Sequence, residues 1–86
     1  MQFAKTIATS TTAQNLRTAL DISVERFDYL LLQAPVANTT NVLYGSPGGE
    51  IFHLEPGDKI LLPPGNTKSW SIKAASGTPS LNVGII

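Results

Sequence analysis

Side chains able to do chemistry are sparse in this chain of 86 residues, and their spacing seldom brings two together. His53, the sole histidine, stands between Glu50 and Glu55. In an extended segment successive side chains alternate, so His53 and Glu55 share a face and Glu50 points away. A histidine beside a carboxylate can act as a general acid or base, but only within a pocket. In its absence the arrangement predicts a solvated cross-strand pair. Asp21, Asp28 and Asp58 lack the spacing of a carboxylate pair, and the serines have neither a nucleophile elbow nor a partner base. Gly45-Ser46-Pro47-Gly48-Gly49 is glycine-rich without the lysine and following helix of a phosphate loop, and reads as a hairpin turn. Asn38-Thr39-Thr40 has the form of a glycosylation sequon, but with no secretion signal it reads as a polar turn after Ala34-Pro35. Tyr29, Tyr44, Phe52 and Trp70 could build a stacking platform for a sugar. Trp70 alternates with polar neighbours, which predicts that it points into a core instead. No catalytic, cofactor-binding or metal-ligating residue is assigned, and the chain is expected not to be an enzyme.

The segment from Pro56-Gly57-Asp58 through Pro63-Pro64-Gly65 to Lys68 resembles the second sequence motif of the cupins. In that family the motif leads into a metal-binding histidine. Here the matching position is Lys68, a cation that cannot replace a neutral imidazole ligand. The first cupin motif needs a His-x-His pair, which a chain with one histidine cannot supply. What the resemblance implies is a jelly-roll-type hairpin, with Ile60 and Leu62 facing in, and no metal centre.

Composition narrows the classes further. Cysteine is absent, which excludes disulfides and thiolate metal sites. Charged residues make up 14% of the chain, against roughly 25% in ordinary soluble domains, and six basic side chains cancel six acidic ones. A nucleic-acid partner would need a basic stripe. A net charge near zero favours association with other proteins. Polarity comes from uncharged stretches such as Thr9-Ser10-Thr11-Thr12 and Asn38-Thr39-Thr40-Asn41, which lose water more cheaply than charges do. No apolar run approaches the ~18 residues of a membrane span, and residues 1–10 lack the pattern of a signal peptide, so synthesis in the cytoplasm is expected. A domain this small has a modest core, for which oligomerisation is a common remedy.

The elements are legible mainly from alternation. Ser69-Trp70-Ser71-Ile72-Lys73-Ala74 and Leu81-Asn82-Val83-Gly84-Ile85 have an apolar residue at every second position, the mark of half-buried strands. Phe27-Asp28-Tyr29-Leu30-Leu31-Leu32-Gln33 is mostly apolar and predicts a central strand covered on both faces. Shorter strands are expected over residues 3–8, 42–44, 51–54 and 59–62. Turns are expected at Pro47-Gly48-Gly49, Pro56-Gly57-Asp58, Pro63-Pro64-Gly65-Asn66 and Ser76-Gly77-Thr78-Pro79, since proline presets φ and glycine accepts positive φ. Residues 12–20 favour helix by propensity and predict a strand near Leu16 followed by a helical turn to Asp21. The whole is a single all-β domain over residues 1–86, a small jelly-roll-like antiparallel β-sandwich, with residues 1–10 as a short N-terminal arm.

From Phe27 to Ile86 the chain also resembles small bacteriophage structural proteins. The resemblance is carried by Gln33-Ala34-Pro35, Asn41-Val42-Leu43-Tyr44-Gly45-Ser46, Leu54-Glu55-Pro56-Gly57-Asp58, the strand from Trp70 to Thr78, and Leu81-Asn82-Val83. It implies a capsid decoration, or cement, protein: a β-sandwich that binds the major capsid protein of an assembled head, often as a homotrimer over a local symmetry axis, and resides on the virion surface. The alternative is a carbohydrate- or receptor-binding module of a phage head or tail fibre. Neither implies a cofactor, a metal, a nucleic-acid partner or a membrane.

Overall fold

The structure, a computed structural model, describes residues 3–21 and 26–86. Its elements in chain order are β1 (Phe3–Ala8), β2 (Gln14–Asn15), α1 (Leu16–Leu20), β3 (Arg26–Phe27), β4 (Leu30–Gln33), β5 (Val42–Ser46), β6 (Gly49–Leu54), β7 (Lys59–Leu62), β8 (Gly65–Asn66), a 3-10 turn (Thr67–Ser69), β9 (Ser71–Ala74) and β10 (Ser80–Ile85). Sheet 1 has the order β1-β10-β4-β7 and sheet 2 the order β2-β9-β5-β6, with β3 and β8 forming a two-residue ribbon beside them. Among the eight main strands only β5 and β6 are consecutive neighbours in one sheet, and the other connections cross between sheets. That winding is a jelly roll.

The core lies between the sheets. Ile7, Leu30, Leu32, Leu62, Leu81, Val83 and Ile85 face it from sheet 1, and Val42, Tyr44, Leu54 and Ile72 from sheet 2. Register sets the rows: Ile85, Leu30 and Leu62 stand opposite one another, as do Val83, Leu32 and Ile60. Helix α1 inserts Leu16 and Leu20, both without solvent exposure, into one end of the sandwich. Its start is fixed by Asn15, whose Oδ1 accepts from the Arg17 N–H at 3.1 Å while its Nδ2 donates to the Lys68 carbonyl at 2.9 Å. Its end is Asp21 in the left-handed conformation, φ 52°, a backbone state that aspartate tolerates better than most residues. The strand-then-helix reading of residues 12–20 therefore holds, with the strand one residue earlier than Leu16.

Two expectations need correction. Met1 and Gln2 of the expected arm lie outside the described residues, and the part that is described is not an arm: Phe3–Ala8 is an edge strand paired in antiparallel register with β10, from Phe3 opposite Ile85 to Ala8 opposite Ser80. Thr9 then locks the strand's exit, its backbone N–H and its hydroxyl both donating to the Pro79 carbonyl at 3.0 and 2.7 Å. The alternation of β1 is masked by Lys5, which stands opposite the inward Val83. From the edge its ammonium reaches the Leu20 carbonyl at 3.1 Å, where a cation complements the exposed end of a helix. The second correction concerns β4. It is central in sheet 1 but buried on one face only, because nothing among the described residues covers the outer side of that sheet.

Of the expected turns, Pro63-Pro64-Gly65-Asn66 is corrected, since Gly65–Asn66 is strand β8 paired with β3, and the Pro-Gly turns at Pro47 and Pro56 form. Glu55-Pro56-Gly57-Asp58 closes with the Asp58 N–H donating to the Glu55 carbonyl at 2.8 Å, and Gly57 has φ 93°. Proline and then glycine at the two central positions are the residues that a type II turn requires. The β5–β6 hairpin turns through Gly48 at φ 83° and carries a register irregularity after Tyr44. There a Cβ on Gly45 would lie 2.2 Å from the Gly49 carbonyl oxygen, so only glycine allows this approach.

Candidate assembly surface

The residues with catalytic potential do not converge. His53 is exposed, and its Nδ1 lies 3.4 Å from Asn41 Nδ2. Glu50 is buried on the opposite face of β6, and its carboxylate accepts from the Gly48 N–H at 2.8 Å, a turn-stabilising role. Asp58 does the same for its own turn, accepting from the Glu55 N–H at 3.0 Å. Lys68, at the cupin histidine position, is exposed within the 3-10 turn. Among the described residues no group of three or more His, Asp or Glu is gathered for a metal ion. The sequon segment is a turn tied to β10: Asn38 Nδ2 donates to the Ser80 carbonyl at 2.8 Å and Asn38 Oδ1 accepts from the Ser80 N–H at 2.9 Å.

The four aromatic residues of the expected sugar platform, Tyr29, Tyr44, Phe52 and Trp70, separate into two places. Tyr44 stacks in tilted contact on Phe52, with centroids 5.4 Å apart, and on Trp70 at 6.2 Å. Tyr44 is nearly buried, and burial raises the pKa of its phenol. Trp70 has the inward parity expected of it, but it sits at the rim, half-buried, as the cap of the 3-10 turn. Tyr29 lies just before β4, on the sheet 1 side, its backbone bonded to Ile86, so a platform of all four rings does not form.

What the fold does build is a two-part outer face on sheet 1. One cross-strand row is Ala4, Gly84, Leu31 and Leu61, successive partners across β1, β10, β4 and β7. The row two residues further along is Thr6, Asn82, Gln33 and Lys59. The second row is polar and bonded to itself: the Thr6 hydroxyl donates to Asn82 Oδ1 at 2.7 Å, and Asn82 Nδ2 donates to Gln33 Oε1 at 3.4 Å. The first is apolar and uncovered. With Tyr29, Ile85 and Ile86 it lines an open depression of about 340 Å³, without a charged side chain in its wall. Gly84, lacking a side chain, leaves the hollow between Ala4 and Leu31. Leu61 remains 58% exposed and Tyr29 48%. Large apolar groups gathered on one exposed face mark interaction sites, whereas scattered ones do not.

Sequence reasoning missed this surface because it took the apolar run through Leu30, Leu31 and Leu32 as buried on both sides. The available signal was the alternation of Leu61 with the inward Ile60 and Leu62, together with Gly84 in an otherwise apolar and polar alternation.

No family model matches the chain, and no curated protein does. Among solved structures it is similar to a chain described under "Bacillus endospore appendages form a novel family of disulfide-linked pili", with a TM-score of 0.52 and 14% identity over 99% of this chain and 84% of that one. At that identity the likeness bears on the fold. It agrees with a small antiparallel β-sandwich.

Proposed function

We propose that this protein is a non-enzymatic structural subunit that docks on an assembled protein shell through the outer face of sheet 1, as a bacteriophage capsid decoration protein does. The observation that carries the reading is the uncovered apolar row Ala4, Gly84, Leu31 and Leu61, flanked by Tyr29 and Ile86. The choice of a capsid as the shell rests on the sequence resemblance over residues 27–86. The mechanism is mass action: a ligand that binds only the assembled state stabilises it, by about 2.7 kcal/mol per site at a free concentration of 100 Kd. The structural neighbour is described as a disulfide-linked pilus protein. This chain has no cysteine, so disulfides of its own cannot link it into an assembly.

Co-sedimentation with expanded empty capsids tests the reading. Wild-type protein is expected to pellet with the shells and Leu31→Lys or Leu61→Lys to stay in the supernatant. Equal binding by these variants would remove the sheet 1 face from the contact, and no binding by the wild type would remove the capsid as partner. A second reading, a carbohydrate- or receptor-binding module, is favoured by the contact run Phe52–Tyr44–Trp70. Saturable glycan binding lost in Phe52→Ala would support it over the first.

A further inference from the structure

An edge strand presents unpaired backbone groups, and folded proteins protect such edges with short length, lysine, proline or a cover. Three of the four edges of the two main sheets are protected in this way. β2 is two residues long, β1 carries Lys5, and β7 begins at Lys59 and is followed by Pro63-Pro64. β6 is the exception. It runs six residues without lysine or proline, and Ile51 is 70% and Phe52 52% exposed.

The hydrogen bonds of sheet 2 fix which groups β6 offers. Backbone groups of successive residues in an antiparallel strand point to alternate sides. The Ala75 N–H donates to the Asn41 carbonyl at 3.0 Å, while the Ala74 N–H points the other way, to the Ser10 carbonyl at 2.7 Å. Leu43, two residues on from Asn41, is therefore turned toward its partner Lys73 on β9, and Val42 and Tyr44 are turned toward β6. Their partners Leu54 and Phe52 are turned back toward β5. The N–H and C=O groups of Ile51 and His53 are left aimed at the open edge.

We propose that β6 pairs antiparallel with β6 of a second copy across a two-fold axis through Phe52, joining sheet 2 of the two molecules. The strand is its own complement. In that register Ile51 of each copy meets His53 of the other, four edge hydrogen bonds form, and inward and outward side chains stay on their own faces. Phe52 meets Phe52 of the second copy as a non-hydrogen-bonded pair, where side chains are closest and aromatic pairs are favourable. Charge does not oppose it. Glu50, the one carboxylate in the strand, is buried with its oxygen on the Gly48 N–H. Such a contact is isologous and closes at two copies. It uses the edge of sheet 2, so it stands or falls separately from docking through sheet 1.

The absence of cysteine permits a register-specific test with single-cysteine variants of the full chain. Across the axis a non-hydrogen-bonded pair has Cα atoms about 4.5 Å apart, within the usual disulfide range of about 4.4–6.8 Å. Phe52→Cys is expected to give a disulfide-linked dimer under mild oxidant at least ~10-fold faster than Ile51→Cys or His53→Cys, which do not face themselves. Sedimentation of the wild type is expected to give about twice the 9.1 kDa chain mass. Ile51→Pro, which removes only an edge-directed N–H, is expected to give the monomer with an unchanged circular dichroism spectrum. A monomeric wild type at millimolar concentration, a trimer, or equal cross-linking rates at residues 51, 52 and 53 would each overturn the proposal.

Discussion

Leu30, Leu31 and Leu32 are one residue type repeated on one strand, yet Leu30 and Leu32 have no exposure and Leu31 keeps 38%. Strand geometry alone separates them: alternate side chains belong to opposite faces, and only one face of sheet 1 meets the other sheet. The outer face then divides again. Its polar row satisfies itself through Thr6, Asn82 and Gln33, whereas its apolar row through Leu31 and Leu61 has no such partners. Inner leucines are held by the fold; the outer row is available to something else.

The contrast breaks most visibly at Leu32→Ala. Emptying a fully buried leucine site is expected to cost about 2–5 kcal/mol, read as a lowered midpoint in urea unfolding. In a domain this small that is enough to unfold much of the population. Gly45→Ala comes next at about 1–3 kcal/mol, because the new methyl meets the Gly49 carbonyl in the bulged hairpin. Trp70→Ala is expected to fall in the same band, about 1–3 kcal/mol, since the ring is a half-buried rim residue packed on Tyr44. The smallest effect is the sharpest test: Leu31→Lys is expected to stay within about 0.5 kcal/mol of the parent while shell binding is lost. If it destabilises as much as Leu32→Ala, the two faces are energetically alike and the outer row belongs to the core.

Much of the fold was legible because period-two alternation survives wherever one face is buried. β9 and β10 follow from it, while the Pro-Gly turns follow from backbone chemistry, and Ile60 and Leu62 on the inner side of β7 from the cupin-like hairpin. β1 was expected as a strand, but its place in the sandwich was obscured by Lys5, whose long stem lets a cation occupy an inward edge position and bond the end of α1. The docking surface was hidden for a different reason. A run of apolar residues looks the same whether its second face is covered by the protein or left open, and only the strand order distinguishes the two. The edge of β6 was least legible of all, because backbone direction leaves no trace in residue type.

The pairing of β1 with β10 also has a consequence for biosynthesis. Strand β10 is central in sheet 1, between β1 and β4, so the first and last strands of the described chain are neighbours. Contacts of such long sequence separation slow folding, because the loop between them must be closed before they contribute. Sheet 1 cannot be completed until Ser80–Ile85 has left the ribosome, and at about 5–20 residues per second β1 waits several seconds for its partner. During that interval the backbone edges of β1 and β4 that β10 will pair are left open. The nascent chain is then at its most prone to aggregation, and a chaperone that holds it is expected to raise the yield of folded subunit.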